Sequence, residues 1–425
     1  MHHRASRTIA VALIALATAA PLACSGGASS GQVASANDGS VEGASGGSNS
    51  GSSGAGSGSG SSSSSGSGGS SGSSTSGSSS GTSSSSGASV PDGGTITLGD
   101  GGAACTGDED VAGGFPDGFW DSSNVPAATG PMVIKFLNRT NGKYSDSELF
   151  WTFNGDNMNT TPASFADAPT FQFPAGSYNG RMYFFICPTG ATDKCGSEGA
   201  TDYYDFWEYA VGTNTTGPMW WINYDTTRVD AFAIKIALDL HLATGPDDYI
   251  GENCPTFAED RTATFASYVA SVPGPFQASG LPPNAPYRIP EPGAGAGFNA
   301  GGANADYYNS FEQEIWTNNG ITIAMPGPNG SGLGAYPDLS AAIMRHVGSA
   351  AGTWTAAGKL VNGSFWSTAP ESSFYAAAPA DYYAQWIHSR AIHQKQYAFP
   401  YDDVGGNSSD VGAQGMVYML AAVGW

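Results

Sequence analysis

Charge is scarce in this chain, and positive charge scarcest. Charged residues are 12% of 425, against about 25% in an ordinary soluble domain. Only 15 Lys+Arg stand against 36 Asp+Glu, a formal net of −21. A surface that acidic repels phosphate backbones, which argues against nucleic acid as a partner. Cysteine is also sparse: there are five and no Cys-x-x-Cys pair. His388 and His393 miss the i, i+4 spacing of a helical metal pair, so neither a metal nor a cofactor is expected. A Gly-x-Ser-x-Gly elbow occurs only within a Gly/Ser tract, where it carries no meaning. What is plentiful is Gly, at 61, and aromatics, with 20 Phe, 19 Tyr and 10 Trp. A disordered acidic chain would be poor in aromatics. The composition therefore describes an acidic, aromatic-rich globular part joined to a low-complexity part.

Residues 1–23 have the anatomy of an export signal. Arg4 and Arg7 come first, then the apolar run Ile9–Ala17, then small residues. The run falls short of the ~20 residues needed to cross a bilayer. It ends at Pro21-Leu22-Ala23-Cys24, which resembles a bacterial lipobox and makes Cys24 the expected lipidation site. Ordinary signal cleavage and secretion is the alternative. Residues 24–90 follow as a tether: between Gly51 and Gly87, 34 of 37 residues are Gly or Ser. Such a segment cannot bury enough surface to offset its ordering entropy, and its r.m.s. reach is on the order of 45 Å. Setting Cys24 aside leaves Cys105, Cys187, Cys195 and Cys254, an even number in an exported, oxidising setting. Cys187–Cys195 and Cys105–Cys254 are the expected bridges, although spacing alone does not fix the pairing.

Residues 91–425, about 335 in all, make the working region. Strand runs are expected at Met132–Leu137, Glu148–Phe153, Arg181–Cys187, Asp202–Val211, Met219–Tyr224 and Arg228–Leu242. Helical spacing follows over Pro255–Val269, Ala305–Thr317, Asp338–Val347 and Pro379–Ile392. The fold expected is mostly β with an α/β part. A β-sandwich or barrel lobe (about 125–250 and about 395–425) and a mixed α/β lobe (about 251–394) would flank a wide groove.

Two carboxylates stand out from strand alternation. Glu208 shares a face with Tyr204 and Phe206, while Asp205, Trp207 and Tyr209 take the other. Read as one strand, Arg228–Leu242 puts Asp230 at the head of the face bearing Phe232, Ile234, Ile236, Leu238 and Leu240. A carboxylate on an apolar face is costly unless paired, neutralised or set in a cleft. Two of them beside Trp and Tyr suit glycosidic hydrolysis: one acid protonates the leaving oxygen, and the second carboxylate activates water or attacks. The plain alternative has Glu208 facing solvent and Asp230 paired with Arg228 or Arg261. Tyr204, Trp207, Trp220 and Trp221 are candidates for stacking on sugar rings, although most buried aromatics are simply core.

Tyr397-Ala398-Phe399-Pro400-Tyr401-Asp402-Asp403-Val404 resembles the near-terminal signature of glycoside hydrolase family 64, the laminaripentaose-producing β-1,3-glucanases, related to thaumatin-like proteins. Val133–Arg139 with Leu149–Asn154, Ser177–Phe185, Asp205–Tyr209 and Arg228–Phe232 resemble four further family strands, in the right order. The resemblance implies an inverting endo-β-1,3-glucanase with Glu208 as general acid and Asp230 as general base. Apolar neighbours Phe206 and Trp207 would help keep the acid protonated, and Asp402 and Asp403 would position sugar or hold the carboxylate strands. It also implies a β-1,3-glucan partner and short laminari-oligosaccharide products; separately, the chain is expected to be a monomer that reaches the membrane through the lipid alone. A departure is the longer excursion between the two carboxylates, with Thr213–Pro218 and Trp220-Trp221 inserted. The competing reading is a thaumatin-like module that binds glucan without cutting it.

Overall fold

The computed structural model describes residues 97–98, 102–188, 196–213, 219–293, 297–299, 301–319, 337–347, 373–403 and 406–425. The signal segment, Cys24, the tether, Cys195 and 214–218 lie outside the described residues.

Two sheets face each other. The first has five strands in the order β11 (Asp248–Gly251), β10 (Lys235–Leu242), β14 (Met416–Gly424), β1 (Val133–Arg139) and β5 (Thr170–Gln172). The second runs β13 (Val411–Gln414), β8 (Trp220–Asp225), β7 (Tyr203–Thr213), β6 (Tyr178–Ile186), β2 (Leu149–Asp156) and β3 (Met158–Asn159), with β4 (Ala163–Ser164) also on β2. Alternation explains the core between them. Ile134, Phe136, Ile236, Leu238 and Val423 from one sheet meet Trp151, Phe153, Trp207, Tyr209, Ile222 and Tyr224 from the other. At roughly 25 cal/mol per Å² of apolar area, an aromatic-rich core of this kind supplies the main drive to fold.

The outer face of the five-stranded sheet is covered by 102–125 and the short helix α1 (Cys254–Ala258). Phe115, Phe119, Leu137, Phe257 and Leu420 fill that layer. The bridge Cys105–Cys254 ties the two covering pieces together, as expected from the cysteine count. Cys187 is disulfide-bonded as well.

A second core is built largely from helices. α2 (Arg261–Ser271), α3 (Gly274–Gln277), α4 (Asn309–Asn319), α5 (Pro337–Met344) and α6 (Tyr382–His388) gather around Tyr268, Phe276, Tyr308, Ile343 and Tyr383. The two-stranded ribbon β9 (Ala231–Phe232) with β12 (Ile289–Pro290) contributes Phe232 and Ile289 to it.

Two expected elements are divided. Pro255–Val269 is two helices, because the Asp260 side chain accepts from Ala263 N–H and caps α2. Arg228–Leu242 is not one strand. The chain bends at Val229-Asp230, forms β9, and bends again at Ile234 before β10. Buried Asp205 accepts from the N–H groups of Ala233 and Ile234 at 2.8 and 3.1 Å, which draws that backbone out of line. Phe232 thus enters the helical core while Ile234 and Ile236 enter the sandwich.

Candidate active site

Antiparallel pairing of β2, β6, β7 and β8 sets Asn154, Arg181, Glu208 and Asp225 in one row across four strands. Directly opposed residues point to the same side of a sheet. Trp207, Tyr209, Ile222 and Tyr224 face the sandwich core, so this row lies on the sheet's other face.

Arg181 occupies the middle of the site. Its Nε donates to Glu208 Oε1 at 2.8 Å, and its Nη1 donates to Asp230 Oδ2 at 3.2 Å. Glu208 and Asp230 are 29% and 54% exposed, so both open to solvent. Binding one guanidinium keeps the two carboxylate oxygens within about 8 Å of each other, which leaves room for a water or a sugar oxygen. The Arg181 guanidinium also lies 4.1 Å over the Phe206 ring. Partial burial opposes its charge, but Glu208 and Asp230 outweigh that and raise its pKa. Gly180, next to it, has φ +150, and a Cβ there would meet Asn154 O at 2.4 Å. Only glycine lets β6 approach β2 at the residue before the arginine.

Asp230 is aimed from beneath by a buried ion cluster. Arg228, wholly buried, pairs with Asp205 at 2.8 Å and with Glu252 at 2.8 Å. Burial lifts the Asp205 carboxyl to about 6, against the pull of Arg228 and the two N–H groups. From the far end of the sequence, Tyr397 O accepts from Arg228 N–H at 2.6 Å, and Thr227 and Tyr397 form a parallel bridge. Tyr397 thus braces the loop carrying Asp230. Neither arginine considered from sequence pairs with Asp230: Arg228 is committed to Asp205 and Glu252, and Arg261 donates to the carbonyls of Ala233, Pro286 and Tyr287.

The other candidate residues divide. Trp221 is half-buried on the Glu208 face, lying across Gly212, where a Cβ would meet the indole at 2.9 Å. Tyr204 is on the same face, and its hydroxyl accepts from Arg288 at 2.9 Å. Asp403 is exposed and accepts from the Tyr397 hydroxyl at 3.3 Å. Three positions are corrected. Trp207 is 0% exposed in the sandwich core, so it offers no ring to a sugar and does not flank the Glu208 carboxyl. Trp220 faces that core too. Asp402 is fully buried between Arg345 Nη2 at 2.8 Å and His388 Nε2 at 2.9 Å. Burial alone would raise Asp402, but these two cations hold it below the usual carboxylate range. It is a structural ion, out of reach of substrate.

Sequence reasoning missed Arg181 and Asp225. Arg181 was visible within the quoted Ser177–Phe185 run. Asp225 ends the Met219–Tyr224 strand just beyond the boundary read for it.

The site is therefore a sheet face with two solvent-open carboxylates joined by an arginine, beside a flat indole, in a mostly β protein. The comparisons agree with the family resemblance. A model of the family described as β-1,3-glucanase, glycoside hydrolase family 64, matches residues 333–420. That stretch includes Tyr397–Val404 and excludes Glu208 and Asp230. The laminaripentaose-producing β-1,3-glucanase of family 64 from Paenibacillus barengoltzii has a similar fold. Its TM-score is 0.54 at 24% identity, over 72% of this chain and 78% of that one. A family 64 β-1,3-glucanase domain from Clostridium beijerinckii gives 0.52 at 20% identity, over 71% and 100%. No curated protein sequence matches the chain.

Proposed function

We propose that this protein is a glycoside hydrolase that cuts β-1,3-glucan internally with inversion and releases short laminari-oligosaccharides. Glu208 is the general acid and Asp230 the general base. The observation that carries the reading is the shared contact of both carboxylates with Arg181 on one open sheet face. Glu208 passes its proton to the glycosidic oxygen as the C–O bond breaks and that oxygen keeps the bonding pair. Asp230 takes a proton from the water that attacks the anomeric carbon from the opposite side. The Trp221 face supplies a stacking surface four residues along the sheet from this row, as flat indoles do for sugar rings. The similarity to family 64 glucanases of known structure supports the substrate class.

In the same reading the enzyme is exported, held at the bacterial envelope through lipidated Cys24, and reaches its glucan on the tether as a monomer. The test is incubation with linear β-1,3-glucan, mass analysis of the products and proton NMR of the first anomer released. Laminari-oligosaccharides appearing first as the α-anomer are expected. Glucan binding without any product would instead establish the non-hydrolytic binding module.

A further inference from the structure

Asp225 stands directly opposite Glu208 in the β7–β8 register, a placement that sets side chains about 4.5–5.5 Å apart at Cβ. The two differ in solvent access. Glu208 opens to the groove, whereas Asp225 is 9% exposed and its Oδ1 has no hydrogen-bond partner among the described residues. The groups facing Asp225 come from four places: Glu208 on β7, Arg181 on β6, Tyr397, and the acidic pair Asp403 and Asp410 ahead of β13. Arg181 is the one cation among them, and its Nε and Nη1 donate to Glu208 and Asp230.

We propose that Asp225 and Glu208 share a proton as one carboxyl unit across β7 and β8, which makes Asp225 a positioning residue for the general acid. The proposal rests on the reading of Glu208 as that acid. The register sets the two carboxyls side by side on one face of the sheet. Two carboxyls on neighbouring strands, one of them out of water, cannot both ionise cheaply, and their protons leave in two steps that belong to the pair. Burial first, then the charges of Glu208 and Asp410, push the Asp225 carboxyl well above the ordinary range, with Arg181 opposing. The pair therefore keeps its last proton at a pH where two separate surface carboxylates would have lost theirs. That proton is available to Glu208, the member that reaches the groove.

The test is the pH dependence of kcat/KM on linear β-1,3-glucan for the wild type and Asp225→Asn, which keeps the shape and removes the titration. The variant has one carboxyl fewer to hold the shared proton. The basic limb should move to lower pH by about one unit, with kcat/KM on the acidic side within about threefold of wild type. A basic limb that stays in place overturns the proposal. Glu208→Gln separates the two readings. Its activity should fall by about 10²-fold or more, and if that loss is seen while the Asp225→Asn limb is unmoved, the pairing alone has failed. Should Asp225→Asn not fold, the carboxyl carbons of the wild-type protein can be followed by NMR. The Asp225 carboxyl is then expected to keep its proton well above the ordinary aspartate range and to titrate in two steps, and a single step overturns the pairing.

Discussion

Arg181 and Glu208 are direct cross-strand partners on β6 and β7, and the guanidinium Nε donates to the Glu208 carboxylate at 2.8 Å. The same group reaches Asp230 at 3.2 Å through Nη1. One rigid fork thus fixes the mutual orientation of two carboxylates that arise from a strand and from a loop. Lysine, a point charge on a flexible stem, cannot hold both at once.

Arg181→Lys is therefore expected to lower kcat/KM by about 10–100-fold while glucan binding in a pull-down assay holds. Arg181→Met goes further. It removes both contacts with the carboxylates, so kcat/KM should fall below that of Arg181→Lys. Equal kcat/KM in Arg181→Met and wild type would show that the arginine takes no part in orienting the pair.

Glu208→Gln and Asp230→Asn remove the proton donor and the water activator. General acid–base catalysis contributes about 10²–10⁴-fold each, so each variant should lose at least the lower figure in kcat on polymeric glucan. The double variant should be little worse than the poorer single one, since groups acting as a unit are not additive. Loss through unfolding is distinguished by Tm, which both polar, near-isosteric changes should leave within a few degrees.

How far the sequence disclosed this arrangement can be judged from particular residues. Strand alternation alone placed Glu208 on one face with Tyr204 and Phe206, because a period of two is read directly from residue types. It failed at Asp230, where a long-range contact overrides local pattern: Asp205, some thirty residues earlier, captures the backbone of Ala233 and Ile234. It also overvalued Trp207 and Asp402. A tryptophan in an aromatic run reads alike whether it faces core or cleft, and nothing local in Tyr401-Asp402-Asp403 reveals that Arg345 and His388 close over the first aspartate. Arg181 went unremarked because an arginine in a strand is ordinary until its register partner is known.

Arg228 is the support of the Asp230 loop, and its removal should be felt in stability first. It is 0% exposed and pairs with Asp205 and Glu252, both nearly as buried. Arg228→Met fills similar volume but leaves two buried carboxylates without their cation. Breaking a buried pair in this way costs about 3–5 kcal/mol. Denaturant unfolding should show a loss of that size at pH 7, smaller at pH 5, where protonation relieves Asp205. A loss below about 1 kcal/mol at both values would contradict the bracing role.

Asp239 lies at the opposite end of the sandwich's function, on the outer face of β10, and it offers a clean pH prediction. The side chain is 4% exposed, and its Oδ1 has no hydrogen-bond partner among the described residues. Burial, then the nearby charges of Asp247 and Asp248, raise its carboxyl to about 8. An unfolded aspartate titrates near 3.9. The folded protein therefore binds a proton that the unfolded chain gives up between those values. The stability linked to this proton is fully present below about pH 4, is lost as pH rises toward about 8, and stays constant beyond. Asp381, at about 7, and Asp205, at about 6, have raised carboxyls and pull in the same direction. Asp239→Asn keeps a neutral side chain of the same shape and cannot titrate. It should unfold at a similar temperature to the wild type at pH 4 and be more stable at pH 8, by on the order of 5 kcal/mol. Because the other buried carboxyls are common to both proteins, the difference between the two Tm–pH curves isolates Asp239. Parallel curves from pH 4 to 8 would mean that the carboxyl is ionised in the fold and that its burial is compensated.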